Sequence, residues 1–174
     1  MQISKPEENE YHKFYAGYVN GVDSSDVLQC IRDQKEEFIS FIHAIPDDRY
    51  NYAYAEGKWT IKQLLRHMID AERMFAFRAM SIARGEHGML PGFDEQGFVE
   101  RADDSQNSIN ELLQEFESLR TSNIHMISNF TSQATERIGN ANGAKVSVRA
   151  IIFIIAGHLA HHKRIITERY LEHV

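Results

Sequence analysis

The chain has a single cysteine, Cys30, in 174 residues. A lone thiol builds no internal disulfide framework, so packing must hold the fold together, and a reducing cytoplasm is the expected compartment. Proline is scarce as well. Pro6, Pro46 and Pro91 leave long stretches in which nothing interrupts a helix. No apolar run approaches the ~18 residues of a membrane span; the longest is Ala150–Gly157. The first residues, Met1 to Glu10, are polar and acidic, without the apolar centre of a secretory signal. Excess positive charge is missing too: 19 Lys and Arg face 25 Asp and Glu, for a net charge of -6. No dense basic stripe occurs, which sets aside nonspecific nucleic-acid binding. The expectation is a soluble protein of one domain, residues 1–174, with neither a membrane nor a nucleic acid as partner. At this length a fold buries roughly 68–70% of its unfolded surface, enough for a core without staples.

What the chain does have is apolar residues at intervals of three and four, the helical period. A first helix is predicted from the Asp23-Ser24-Ser25 cluster to about Ala44, with Val27, Leu28, Ile31, Phe38 and Ile42 on one side. The second has the clearest start. Thr60 and Gln63 form a capping box, and Trp59 and Leu64 occupy the hydrophobic-staple positions. Its stripe from Ile61 through Leu65, Met68, Phe75 and Ile82 ends near Gly85. Residues 85–104, rich in Gly and holding Pro91, read as a long loop. A third helix, about Ser105 to Phe130, reads as structural throughout, and the polar segment Thr131–Lys145 as a connection. A fourth helix follows, capped by Ser147. The fold class is therefore all-α, a four-helix bundle with long crossover connections. Residues 1–21, with Tyr11, Phe14, Tyr15 and Tyr18, read as an irregular arm packed on it.

Nine histidines are present, and position on each helix decides what they can do. On the fourth helix, at ~100° per residue, His158 and His162 fall about 20° either side of the centre of the Ile151, Ile154, Ile155, Ile165, Ile166 face. His161 lies about 80° from that centre, at the boundary. Two inward imidazoles one turn apart can reach one metal ion, or can be neutral core histidines bonded to their neighbours. His67 flanks the stripe of the second helix and could face the interior. A zincin mechanism is disfavoured, because Leu159 stands where H-E-x-x-H needs its glutamate.

The segments Lys58-Trp59-Thr60-Ile61-Lys62, His67-Met68-Ile69-Asp70-Ala71-Glu72-Arg73, Leu90-Pro91-Gly92-Phe93-Asp94 and Gly157-His158-Leu159-Ala160-His161-His162 together resemble the DinB/YfiT-like superfamily of metalloenzymes, which is unrelated to the polymerase of that name. The resemblance spans nearly the whole chain. It implies a four-helix bundle with a three-histidine divalent-metal site, and its ligands fall on His67, His158 and His162. An acidic residue usually follows the first histidine of the last segment; here Leu159 and Ala160 stand, which leaves the ligands intact and removes any role for that acid. Characterised members are thiol-dependent transferases or isomerases using bacillithiol or mycothiol.

Three neutral imidazoles leave a metal with its charge uncompensated and a position open, the arrangement of catalytic sites. A thiol or a water could be activated there. Imidazole suits several metals, with zinc or nickel favoured. Glu72 falls on the apolar stripe and must have a partner, either a ligand imidazole or an arginine such as Arg149 or Arg73. Asp70 points to the surface, Asp94 reads as a turn residue, and no general base is assigned. The function expected is a metal-dependent thiol transferase or hydrolase acting on a small molecule. The alternative is a noncatalytic, stress-associated bundle that binds a metal or ligand. A homodimer is compatible with either.

Overall fold

The structure, a computed structural model, describes residues 2–104 and 107–171. Short 3-10 turns lead into α1 (Ala16–Asn20), followed by α2 (Val27–His43) and α3 (Ile61–Ala83). Next come β1 (Met89–Leu90), α4 (Glu95–Arg101), α5 (Ile109–Ser128) and α6 (Ser132–Thr135). Then β2 (Ile138–Ala141), β3 (Ala144–Ser147) and α7 (Val148–Ile165) complete the order, and the chain winds on as a π-helix over Ile166–Leu171. The helices α2, α3, α5 and α7 form the four-helix bundle the periodicity predicts. Among the described residues no helix is long and apolar enough to cross a membrane.

Helix starts follow from side-chain acceptors. Thr60 and Gln63 exchange hydrogen bonds with each other's backbone N–H at 3.1 and 2.9 Å, the expected box at the head of α3. The α2 cap is Asp26, one residue beyond the expected cluster: its carboxylate accepts from the Leu28 and Gln29 N–H groups, while Ser24 accepts from the Asp26 N–H. Ser108 caps α5 with Glu111 completing a box. This helix therefore starts later than predicted, and the predicted start at Ser105 lies outside the described residues. Ser147 caps α7 as expected.

Both long connections carry structure that helical periodicity does not reveal. Residues 85–104 are not simply loop, because they hold β1 and α4, and Asp94 caps α4 by accepting from the Gly97 N–H. The segment 131–145 is not merely a connection, since it holds α6, β2 and the first two residues of β3, which with β2 forms a hairpin. Asn142 and Gly143 turn that hairpin with φ of 54° and 79°, the left-handed pair of a tight two-residue turn. In the sheet, order β1-β2-β3, β1 runs parallel to β2 with Met89 opposite Asn140. The two crossovers are thereby joined to each other.

The N-terminal arm is also more regular than expected, with two 3-10 turns and α1. Arg149 clamps it through Glu10 and Ser4. At Gly157 a Cβ would lie 2.1 Å from the Tyr18 carbonyl oxygen, so α1 can approach α7 only because no side chain stands there. That cover explains why Val148–Leu159, all but one residue, is buried around the whole helix and not along one stripe.

The core has two apolar halves. One groups Ala71, Phe75 and Ile82 with Ile31, Ile127 and Ile151–Ala156. The other groups Leu64–Leu65 and Met68–Ile69 with Phe38, Phe116, Leu159 and Tyr170. Between them lies a polar layer to which all four bundle helices contribute: Gln34, His67, Glu72, Arg120, Asn123, His158 and His162.

Candidate metal centre

His67 lies about two turns of α3 beyond the Thr60 cap, and its side chain enters the polar layer. On α7, His158 and His162 enter it from the opposite side. His158 Nε2 lies 3.2 Å from His67 Nε2 and 3.0 Å from His162 Nε2. One ligating nitrogen from each ring can be chosen so that all three lie within 4.8 Å of one another. His67 and His158 are 3% and 6% exposed, and His162 is half-buried. The structure thus brings together the three residues singled out in the sequence.

Burial holds the His67 imidazole down to about 4. It holds His162 down to about 3, with His67 and His161 adding to the effect. His158 is pushed well below its ordinary value by burial first, then by His162, His67, His161 and Arg120. All three rings are therefore neutral near pH 7. A neutral imidazole nitrogen presents either one proton or one lone pair in the ring plane. His158 Nε2 faces two nitrogens and cannot form a well-directed hydrogen bond to both, so no tautomer set satisfies the cluster. One cation accepting three lone pairs does. The 3.0 and 3.2 Å separations are near the ~3.3 Å expected for nitrogens about 2.05 Å from one tetrahedral ion. The donor set fits a divalent metal.

Ring contacts hold the imidazoles in place. Trp59 lies tilted over His67 at 4.8 Å between centroids, in addition to its place before the α3 cap. Tyr18 and Phe75 meet His158 edge-on at 5.5 and 5.6 Å. The Nδ1 atoms of His67 and His162 are buried without a hydrogen-bond partner. Glu72 therefore orients neither of them, contrary to one reading of the sequence. Nor is its arginine Arg149 or Arg73. It accepts from Arg120 at 2.6 Å and from Asn123 at 3.0 Å, while Arg149 serves Glu10 and Arg73 serves Glu115 and Asp70. Arg120 also reaches Gln34, whose amide donates to the Ala156 carbonyl two residues before His158.

The α5 residues of this layer lie outside the expectation of a purely structural helix, yet the sequence carries their signal. Leu113, Phe116, Arg120, Asn123 and Ile127 recur at spacings of three and four, so two polar residues occupy core positions. Asp70 is only partly at the surface: it is half-buried beside Arg66 and Arg73, and burial raises its carboxyl. Asp94 is the cap of α4 and pairs with Arg101. His161 is a boundary residue as predicted, packed against Tyr18 and His162.

The cluster opens on one side into a cleft of about 330 Å³, walled by Tyr54, Trp59 and Tyr170 and reaching His161 and His162. The Tyr170 hydroxyl donates to the Trp59 carbonyl at 2.7 Å, so the π-helical tail of α7 secures the wall that covers His67. Burial and the neighbouring Tyr54 and Tyr52 push the Tyr170 phenol up to about 12. Among the described residues, no carboxylate lines the cleft.

Comparison with known proteins gives consistent results. A family model for the DinB superfamily matches residues 31–166. A Geobacillus thermodenitrificans (strain NG80-2) protein described as a candidate metal-dependent hydrolase is 21% identical over 142 residues, 80% of each chain. YfiT from Bacillus subtilis, described as a candidate metal-dependent hydrolase with an unusual four-helix bundle topology, superposes with a TM-score of 0.73 at 17% identity, covering 95% of this chain and 90% of that one. The DinB-like protein YjoA of Bacillus subtilis superposes at 0.56 with 20% identity, covering 79% and 84%. At these identities the superpositions show the fold alone.

Proposed function

The chain belongs to the DinB superfamily, and from that membership and the histidine cluster we propose that it is a metal-dependent enzyme that holds one divalent ion on His67, His158 and His162 and hydrolyses a small molecule. The observation that carries the reading is the convergence of three neutral imidazoles, two buried and one half-buried, whose Nε2 atoms no set of tautomers satisfies. The names of the Geobacillus relative and of YfiT support hydrolysis. When bound, an ion on three imidazoles supplies a Lewis acid with its charge uncompensated, the chemistry that activates water for hydrolysis or a thiol for transfer. Zinc or nickel suits the donor set.

The chain's own residues shape the rest. Trp59 covers His67, and Tyr18 and Phe75 shield His158 from water. Of the three clustered histidines, His162 lines the cleft and so offers the route from it to the site. A second reading, thiol transfer, is favoured by the cleft lining, which among the described residues includes no carboxylate: hydrolysis gains from a positioned base, whereas an ion held by the three histidines would supply the field that makes a thiol acidic without one.

The test is the metal content of tag-free protein and of the His67→Ala, His158→Ala and His162→Ala variants, each checked for helicity by circular dichroism. Near-stoichiometric metal, lost in each folded variant, is expected. Failure of the parent protein to take up zinc or nickel would overturn the proposal. Uptake without turnover on ester, amide or thiol-plus-electrophile panels would replace the enzyme reading with a noncatalytic metal-binding bundle.

A further inference from the structure

We infer that the cleft beside the histidines selects an organic anion with a flat, unsaturated body, with Lys58 recognising its negative group. This deepens the proposed enzyme function and rests on it for the word substrate, though not for binding. Shape comes first. A volume of about 330 Å³ is at the small end of ligand sites, ~300–1,000 Å³. Its walls are rings held from behind: Tyr170 meets Tyr54 edge-on at 5.0 Å and hydrogen-bonds the Trp59 carbonyl, and Trp59 rests on His67. Fixed aromatic faces favour a planar partner, which stacks with little conformational cost.

Charge comes second. The chain is acidic, at -6, yet among the described residues no Asp or Glu lines this cleft. Glu95, the acid next to the lining residue Gln96, is not one of the lining side chains and lies within electrostatic reach of Arg78. The lining group with a fixed positive charge is Lys58, exposed at the end of a turn in which its N–H donates to Ala55 and Gly57 adopts a φ of 71°. No ion pair among the described residues engages it. An ammonium that pairs with no carboxylate among the described residues, at the rim of an aromatic slot, attracts anions and discriminates against cations.

Trp59 is the chain's one tryptophan, so its fluorescence reports on the cleft. The experiment titrates full-length protein with benzoate, neutral benzamide and non-planar cyclohexanecarboxylate, both after chelation and after zinc loading, with zinc uptake measured on the same samples. Benzoate should quench saturably and bind at least about five-fold tighter than either comparator, about 1 kcal/mol. In Lys58→Gln, a change at an exposed turn, the preference over benzamide should fall about five-fold in the chelated protein while benzamide binding stays unchanged. Equal binding of benzamide and benzoate, equal weakening of both in the variant, or no saturable quenching would overturn the inference. Zinc uptake without a benzoate preference removes this inference and leaves the metal reading standing. A Lys58-dependent preference in protein that takes up no zinc does the reverse.

Discussion

Replacing Arg120 by methionine removes one half of an ion pair whose side chains are 1% and 5% exposed. Glu72 keeps Asn123 but loses the cation that justified its charge in the core. Breaking a buried pair from one side costs about 3–5 kcal/mol, because the surviving charge is left without water or partner. For a domain of this size each kcal/mol shifts Tm by ~2–4 °C, so a fall of roughly 10 °C is expected. Glu72→Met should cost a similar amount by stranding the guanidinium. The double variant is the informative one. Exchanging the whole pair for apolar side chains is often neutral, and the remaining cost is the Asn123 amide left without an acceptor, about 1–2 kcal/mol. Urea unfolding followed by far-UV circular dichroism, near neutral pH and in chelator, would measure the cycle. Single losses of ~4 kcal/mol each with a double loss near 2 give a coupling of several kcal/mol, far beyond what independent sites show. Additive losses, or an Arg120→Met cost under about 1 kcal/mol, would refute the polar-layer argument.

Acid should destabilise the metal-free protein in a defined window: His67 and His162 are held down to about 4 and about 3 when folded, so the unfolded chain binds more protons once pH drops below ~6.5. Each histidine then removes on the order of 2 kcal/mol by about pH 5, and urea midpoints that do not move between about pH 7 and 5 would contradict this. Glu10 acts in a lower window: Arg149 holds its carboxyl down to about 2, so its stabilisation is lost as pH falls from the ordinary carboxylate range toward that value, and Arg149→Met should abolish this lower phase. Gly157→Ala ought to help an exposed helix by about 1 kcal/mol, but here the Cβ would meet the Tyr18 backbone, so a loss of about 1–3 kcal/mol and faster proteolysis of the arm are expected; a gain in stability would show that α1 does not sit on α7.

The parts that were legible in the sequence were those written in local spacing. Thr60 and Gln63 mark a helix start because a capping box needs only four residues, and His158 and His162 share a face because one helical turn places them there. What escaped depends on contacts between distant segments. Nothing near Glu72 names Arg120, 48 residues away; only the polar interruption of the α5 stripe hints at it. The stripe of α7 could be read, but not its burial on the other side, which the arm covers where periodicity would leave solvent. Asn142-Gly143 was a readable hairpin signal inside a segment whose polarity pointed to a loop. Lys58, Tyr54 and Tyr170 form a cleft only once the π-helical tail folds back to Trp59.

The polar layer also acts as a ruler. Hydrocarbon cores tolerate sliding, because one methyl replaces another at small cost. In this bundle, moving α5 by one turn along α3, about 5.4 Å, would set Phe116 or Ile124 against the Glu72 carboxylate and bury the guanidinium in one of the apolar halves. A slip of α7 would separate His158 from His67, which lies 91 residues away in the chain. Each helix is indexed at a single height: the Glu72–Arg120 pair aligns α3 with α5, and Arg120 through Gln34 and the Ala156 carbonyl carries that alignment to α2 and α7, where the histidines meet.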